Sequence, residues 1–143
     1  MKITFIAFMI ILFAANDCSN QDSGSINTIT YETFTRGSSI LYTVTPDKIH
    51  RKSTGLNASE DSKSITADNW KMLMEKLNEV DVSNINQLKV PSDSRASDAS
   101  LHAILSIRKN DTIYKTNSFD HGNAPAPIKP LVEAILRLAE NVE

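Results

Sequence analysis

Apolar side chains recur at every second residue in three places, and that spacing limits what the chain can fold into. Ile29, Tyr31 and Thr33 alternate with Thr30, Glu32 and Phe34. Ile40, Tyr42 and Val44 alternate with Leu41 and Thr43, and Leu101, Ala103, Leu105 and Ile107 alternate with His102, Ser106 and Arg108. Successive side chains of a strand point to opposite faces, so each run describes a strand with one face in a core and one in water. Parallel strands, buried on both faces, read instead as continuous apolar runs, so the expected sheet is antiparallel.

Between and after these runs the chain switches to helical spacing. The first strand, 28–35, ends at Arg36-Gly37-Ser38, and the second, 40–45, ends at Pro46-Asp47, both turn signals. Lys48–Ser53 reads as a third strand, polar enough to be an edge, and 54–66 is polar throughout. A helix is predicted over 66–80: Thr66 can cap it, Asp68 sits in its first turn, and Trp70, Leu73, Leu77 and Val80 share one face with Met74 beside them. Because Trp70 lies on the leucine face, it reads as a core residue. Residues 81–100 are irregular, with Ile85, Leu88 and Val90 spaced to tuck under the body and Pro91 ending regular structure. Loops of this length often carry function. A hairpin follows, 101–107 returning as 112–119 across Asn110-Asp111. The chain then enters a last helix with Pro130 in its first turn, Leu131, Ile135, Leu138 and Val142 on one face and Val132 and Ala139 flanking them. The order β-β-β-α-β-β-α implies an α+β fold, an antiparallel sheet of about five strands with both helices packed on one face.

The chain has 143 residues, 41% hydrophobic and 22% charged, which suits one domain able to bury a core. Its net charge is −2, from 15 basic and 17 acidic residues that are scattered rather than blocked. There is no basic stripe of the kind nucleic acids or anionic membranes require. Residues 1–17 carry a basic start, an apolar run over 3–15 broken only by Thr4, and then Asn16-Asp17. That is the layout of a secretory signal, and it falls short of the roughly 20 apolar residues of a membrane span. The organisation expected is a signal peptide over 1–17, a flexible tether over 18–25 and a single α+β domain over 26–143. Cys18 is the only cysteine, so the domain has no internal disulfide. The start resembles bacterial lipoprotein signals, in which the cysteine after the apolar run is acylated. That likeness implies a lipid on Cys18 and, with Ser19 next, an outer-membrane destination. Ala15-Asn16-Asp17 departs from the usual Leu, small residue, Gly or Ala box, so soluble export and an uncleaved anchor stand as alternatives.

No G-x-S-x-G, HExxH, phosphate loop or CxxC occurs. His50, His102 and His121 sit in different elements without ligand spacing, so neither a metal nor a cofactor is expected. Asn57-Ala58-Ser59 and Asn110-Asp111-Thr112 match glycosylation acceptors, which have meaning only in a eukaryotic secreted protein. Two polar clusters remain, one over 91–98 and one over 119–122. The hairpin carries both to the same sheet edge, so Arg95, Asp98, Asp120 and His121 are expected to meet there and bind a polar ligand. With His121 and either Asp120 or Asp98 moving a proton, the same group would be a small hydrolase-like centre. The plainer alternative has the aspartates serving loop amides, Arg95 paired to one of them and Gly122 supplying a positive φ.

PSDSRASDASLHAIL and SFDHGNAPAPIKPLVEAIL, together with the lipoprotein-like start, resemble small envelope proteins of unknown function from flavobacteria-like bacteria. The resemblance covers most of the exported part and implies an envelope location, but no activity. The function expected is a lipid-anchored, non-catalytic module that binds a protein of the cell envelope or a small ligand through the threonine-rich face of its first strands. Alternatives are the hydrolase-like enzyme, a soluble secreted structural or inhibitor-like protein, and an envelope component whose sheet edge pairs with a partner strand.

Overall fold

Strand β1, Ile26–Phe34, runs through the middle of the sheet in the computed structural model, which describes residues 25–97 and 100–140. The expected signal peptide 1–17, Cys18, most of the tether, Asp98 and Val142 lie outside the described residues. After β1 come β2 (Ser39–Val44), β3 (Lys48–Ser53), β4 (Ser59–Ser64), helix α1 (Ala67–Asn78), β5 (His102–Lys109), β6 (Thr112–Lys115), the short β7 (Phe119–Asp120) and helix α2 (Lys129–Ala139). All pairings are antiparallel, in the order β4-β3-β2-β1-β5-β6, with β7 also on β5. The fold is α+β.

The two-residue alternation sets the faces. Ile29, Tyr31, Val44, Ile49, Ala103, Leu105 and Ile107 turn inward and are fully buried, and Leu73, Leu77, Leu131 and Ile135 of the two helices close over them as one core. Each buried Val, Leu or Ile side chain among them contributes about 1.5–3 kcal/mol on leaving water. The partners are aligned by register: Tyr31 lies between Tyr42 and Leu105 on the covered face, and Thr30 between Thr43 and Ser106 on the other.

The sheet has seven strands, not about five, and both additions have a physical reason. Ser59–Ser64 (SEDSKS) is exposed at every position, so no apolar alternation marks it as a strand. Its evidence is a six-pair ladder to β3, with Arg51 reaching Ser59 at 2.8 Å and His50 reaching Glu60 at 3.0 Å. Lys48–Ser53 is therefore interior, and β4 is the edge, guarded by charge against strand addition. The expected strand 112–119 is in fact two. At Thr116 the side-chain oxygen accepts the Leu105 N–H at 3.1 Å while the Thr116 N–H donates to the Leu105 carbonyl at 3.0 Å. One residue thus occupies both places of the ladder, and the chain jogs before β7 resumes.

Helix α1 begins where Thr66 Oγ1 accepts the Asn69 N–H at 3.2 Å, with Asp68 in the first turn and Lys76 in the last, both favourable to the helix dipole. Trp70 is half-buried at the rim of the core rather than within it. Helix α2 is entered through the Pro125 carbonyl, which accepts from Ile128 and Lys129, and Pro130 occupies the first turn, where no N–H is needed. Its buried residues are Leu131, Val132, Ala134, Ile135 and Ala139, so the stripe is centred away from Leu138, which is half-exposed. The 81–100 stretch holds two short 3-10 helices, Val82–Gln87 and Ser94–Ser97, and the first inserts Ile85 into the core.

Thr66 is exposed and its hydroxyl does one job. Thr66→Ala should therefore lower the unfolding free energy by about 1 kcal/mol in urea titration, with the slope of the transition unchanged.

Candidate functional site

The register of β7 on β5 opposes Phe119 to Ala103 and Asp120 to His102. Consecutive residues leave a strand on opposite sides, so Phe119 enters the core, Asp120 leaves on the far face, and His121 turns back inward. The chain then reverses through a turn in which Asn123 N–H donates to the Asp120 carbonyl at 2.9 Å, with Gly122 at φ +84°, a conformation that favours glycine.

Asp120 is only 3% exposed, so its charge must be met by donors. The 91–97 loop provides them. Oδ2 accepts from the Ser92 hydroxyl at 2.5 Å and the Ser94 N–H at 2.8 Å, and Oδ1 accepts from the Arg95 N–H at 2.9 Å and the Arg95 guanidinium at 3.1 Å. A carboxylate offers about four acceptor sites, and four donors fill them. The Ser92 hydroxyl does most to hold the Asp120 carboxyl well below the usual carboxylate range. Burial opposes it, and the two amides and the Arg95 guanidinium add to its effect. Arg95 also donates to the Ser92 carbonyl at 2.9 Å and pairs with Asp93 at 2.9 Å, while Asn123 donates to Ser92 Oγ at 2.7 Å.

His121 belongs to a different neighbourhood. Its Nδ1 lies 2.8 Å from the hydroxyl of Tyr31, a fully buried residue whose phenol is pushed upward by burial and secondarily by the nearby Tyr42. Burial lowers the His121 pKa, favouring a neutral ring. The phenol and the neutral imidazole share one hydrogen bond, and the pair sits against the core uncharged.

Of the four residues expected to meet, Arg95 and Asp120 do so directly. His121 does not share a hydrogen bond with either, and Asp98 lies outside the described residues. Ser92, Asn123 and Tyr31 complete the two neighbourhoods, and no motif in the sequence marks them individually. The only signal for Ser92 was its place after Pro91 in a Ser/Asp-rich loop, and Tyr31 read simply as core. The other histidines are apart: His102 stacks on Phe34, centroids 5.0 Å apart, and His50 pairs with Glu60. Among the described residues no three His, Cys, Asp or Glu side chains gather as ligands for a metal, and no helix is long and apolar enough to cross a membrane.

A second candidate lies on the face of the sheet away from the helices. Thr28, Thr30 and Glu32 of β1, Leu41 of β2, Ser106 and Arg108 of β5, and Ile113 and Lys115 of β6 line a shallow depression of about 250 Å³. Thr28 faces Arg108, Thr30 faces Ser106, and Ser106 in turn faces Lys115. The depression is a polar surface of hydroxyls and charges with two aliphatic side chains at its margins.

Asp120 binds its proton near pH 4 in an unfolded chain and only in stronger acid when folded. The stability it contributes is present above about pH 4 and is lost as pH falls below that. Asp120→Asn should abolish this part of the acid sensitivity in urea titrations at successive pH values. It should also speed amide exchange at Ser94 and Arg95 and expose the Arg95 bond to trypsin.

No protein-family model, curated protein or solved structure matches the chain, so its role has to be read from its own geometry.

Proposed function

We propose that the chain is an exported envelope protein, tethered by a lipid on Cys18, whose domain binds a protein partner through the open face of its sheet and performs no chemistry. The observation that carries this reading is the one-sided burial of the sheet. Two helices cover one face, while Thr28, Thr30, Leu41, Ser106, Arg108 and Lys115 stand on the other without a cover among the described residues. A rigid strand array holding polar and aliphatic side chains at fixed spacing is a ready recognition surface, whereas loops would first have to be ordered. The hydrolase-like pairing of His121 with Asp120 is disfavoured because the two side chains do not share a hydrogen bond and the carboxylate is engaged by the 91–97 loop. The Asp120 carboxylate is filled by Ser92, Ser94 and Arg95, and His121 Nδ1 faces Tyr31. A general base has to reach its proton through a free nitrogen or oxygen aligned with the substrate. The Arg95–Asp120 cluster is better read as the anchor of the 91–97 loop.

Photo-crosslinking residues introduced singly in the full chain test the surface. Positions Thr30 and Ser106 should give a discrete adduct in the producing cell, and position Glu133, on the solvent side of α2, should give none. Adducts from Glu133 alone would place recognition on the helices and reject the open face. Mass spectrometry of the mature N-terminus tests the tether: a diacylglyceryl mass on Cys18, lost in Cys18→Ser, is expected, and an unmodified Cys18 would reject the lipid tether.

A further inference from the structure

We infer that the open face recognises an extended acidic segment of its protein partner, with Arg108 and Lys115 as the two anion contacts. This inference rests on the reading of that face as the binding surface. Its first support is charge segregation. The chain as a whole carries a net charge of −2, yet the register puts Lys48, Lys52, Arg108 and Lys115 on the open face against Glu32, Glu60 and Asp120, the last of which is already filled by Ser92, Ser94 and Arg95. Glu60 is already engaged by His50 at 3.0 Å and Lys52 at 3.8 Å. The Arg108 and Lys115 side chains are exposed and have no hydrogen-bond or ion-pair partner among the described residues. Two unneutralised cations side by side on an acidic protein repel each other, and an anionic partner relieves that repulsion.

Spacing decides the kind of anion. Because Ser106 opposes Lys115 and Arg108 opposes Ile113, Arg108 and Lys115 occupy diagonal positions on neighbouring strands. Such positions lie about 7–8 Å apart. In an extended peptide, alternate residues point the same way and repeat at roughly 6.6–6.8 Å. Carboxylates at every second residue of a strand-like segment therefore meet both cations at once, while the Thr28, Thr30 and Ser106 hydroxyls alongside can bond the remaining oxygens. An anionic membrane surface calls for a cluster of about 4–8 basic residues, and of the four here only Arg108 and Lys115 lie on neighbouring strands. A single phosphate held between their flexible side chains is the competing ligand, and titration with inorganic phosphate separates it from the acidic segment.

The full chain is titrated with an alternating Glu-Thr peptide and followed by two-dimensional amide NMR. Shifts are expected at Thr28, Ser106 and Lys115, weakening as salt rises from about 0.05 M to about 0.3 M. The double reversal Arg108→Glu with Lys115→Glu should weaken binding at least about tenfold while the thermal midpoint stays near that of the parent. An alternating Lys-Thr peptide should give no shifts. Absence of shifts with the acidic peptide, shifts that survive the double reversal, or an equal response to inorganic phosphate or to phosphatidylglycerol vesicles would each overturn the inference. Crosslinking at Thr30 in the double reversal separates the two levels. A retained adduct leaves the face as a binding surface and removes the acidic recognition, and a lost adduct supports both.

Discussion

A sheet covered by two helices can bury only one of its faces, and most of the structure follows from that limit. Strands lie about 4.8 Å apart and a helix with its side chains is about 10 Å across, so two helices shelter roughly four strands. The burial pattern matches: β3, β2, β1 and β5 contribute Ile49, Val44, Tyr31 and Leu105 to the core, whereas every residue of β4 is exposed and β6 buries none. The outer strands are held by backbone ladders and, at β4, by ion pairs with β3. With no disulfide available to the domain, this single apolar layer is the main source of its stability.

The same alternation that builds the core decides what the Asp120-His121 pair can do. Neighbours in a strand diverge, so the carboxylate and the imidazole are separated by the sheet although they are adjacent in sequence. Each is then settled by its own surroundings. Burying a charge costs several kcal/mol unless donors replace water, and the 91–97 loop supplies four for Asp120, which stays ionised. Burying a titratable pair without charge is cheaper, and Tyr31 with His121 takes that route, the phenol pushed up and the imidazole down. Both arrangements tie β7 to other parts of the chain, one to the loop before β5 and one to β1. The two-residue strand is thereby held by more than its own ladder.

How far the sequence could be read depends on which residues face an apolar environment. The inward parity of Ile29, Tyr31 and Thr33 and of Ala103, Leu105 and Ile107 was legible because one face of each strand is buried and the other is not. Thr66 and Pro130 marked their helix starts because capping and the missing N–H are local chemistry. β4 was invisible for the opposite reason: SEDSKS has no buried face, and its strand character comes from residues about ten positions earlier. The jog at Thr116 has no sequence signature because a side chain substituting for a backbone acceptor leaves no pattern. In the site, the hairpin brings the 91–98 and 119–122 clusters to one sheet edge, which accounts for Arg95 meeting Asp120, while strand parity separates His121 from both. Tyr31 could not be recognised as the His121 partner, since nothing local distinguishes a core tyrosine whose hydroxyl meets a histidine 90 positions away.

Glu32 gives the open face a direction. It stands in the row with Leu41 and Ile104, the one carboxylate in the depression, and has no hydrogen-bond or ion-pair partner among the described residues. An acidic segment bound as proposed would be attracted along the β5–β6 side by Arg108 and Lys115 and repelled where it strays toward the phenylalanine end of β1. Discrimination comes as much from such a repulsive element as from the attractive ones. With only the two cations, a segment could slide along the face or reverse. A like charge one row away raises the energy of those placements, while Leu41 and Ile113, the latter 46% exposed, offer apolar contact at the two margins. Under the proposed recognition, the face would select position with very few groups, which a flat and solvated surface needs if its charge pairs are individually weak.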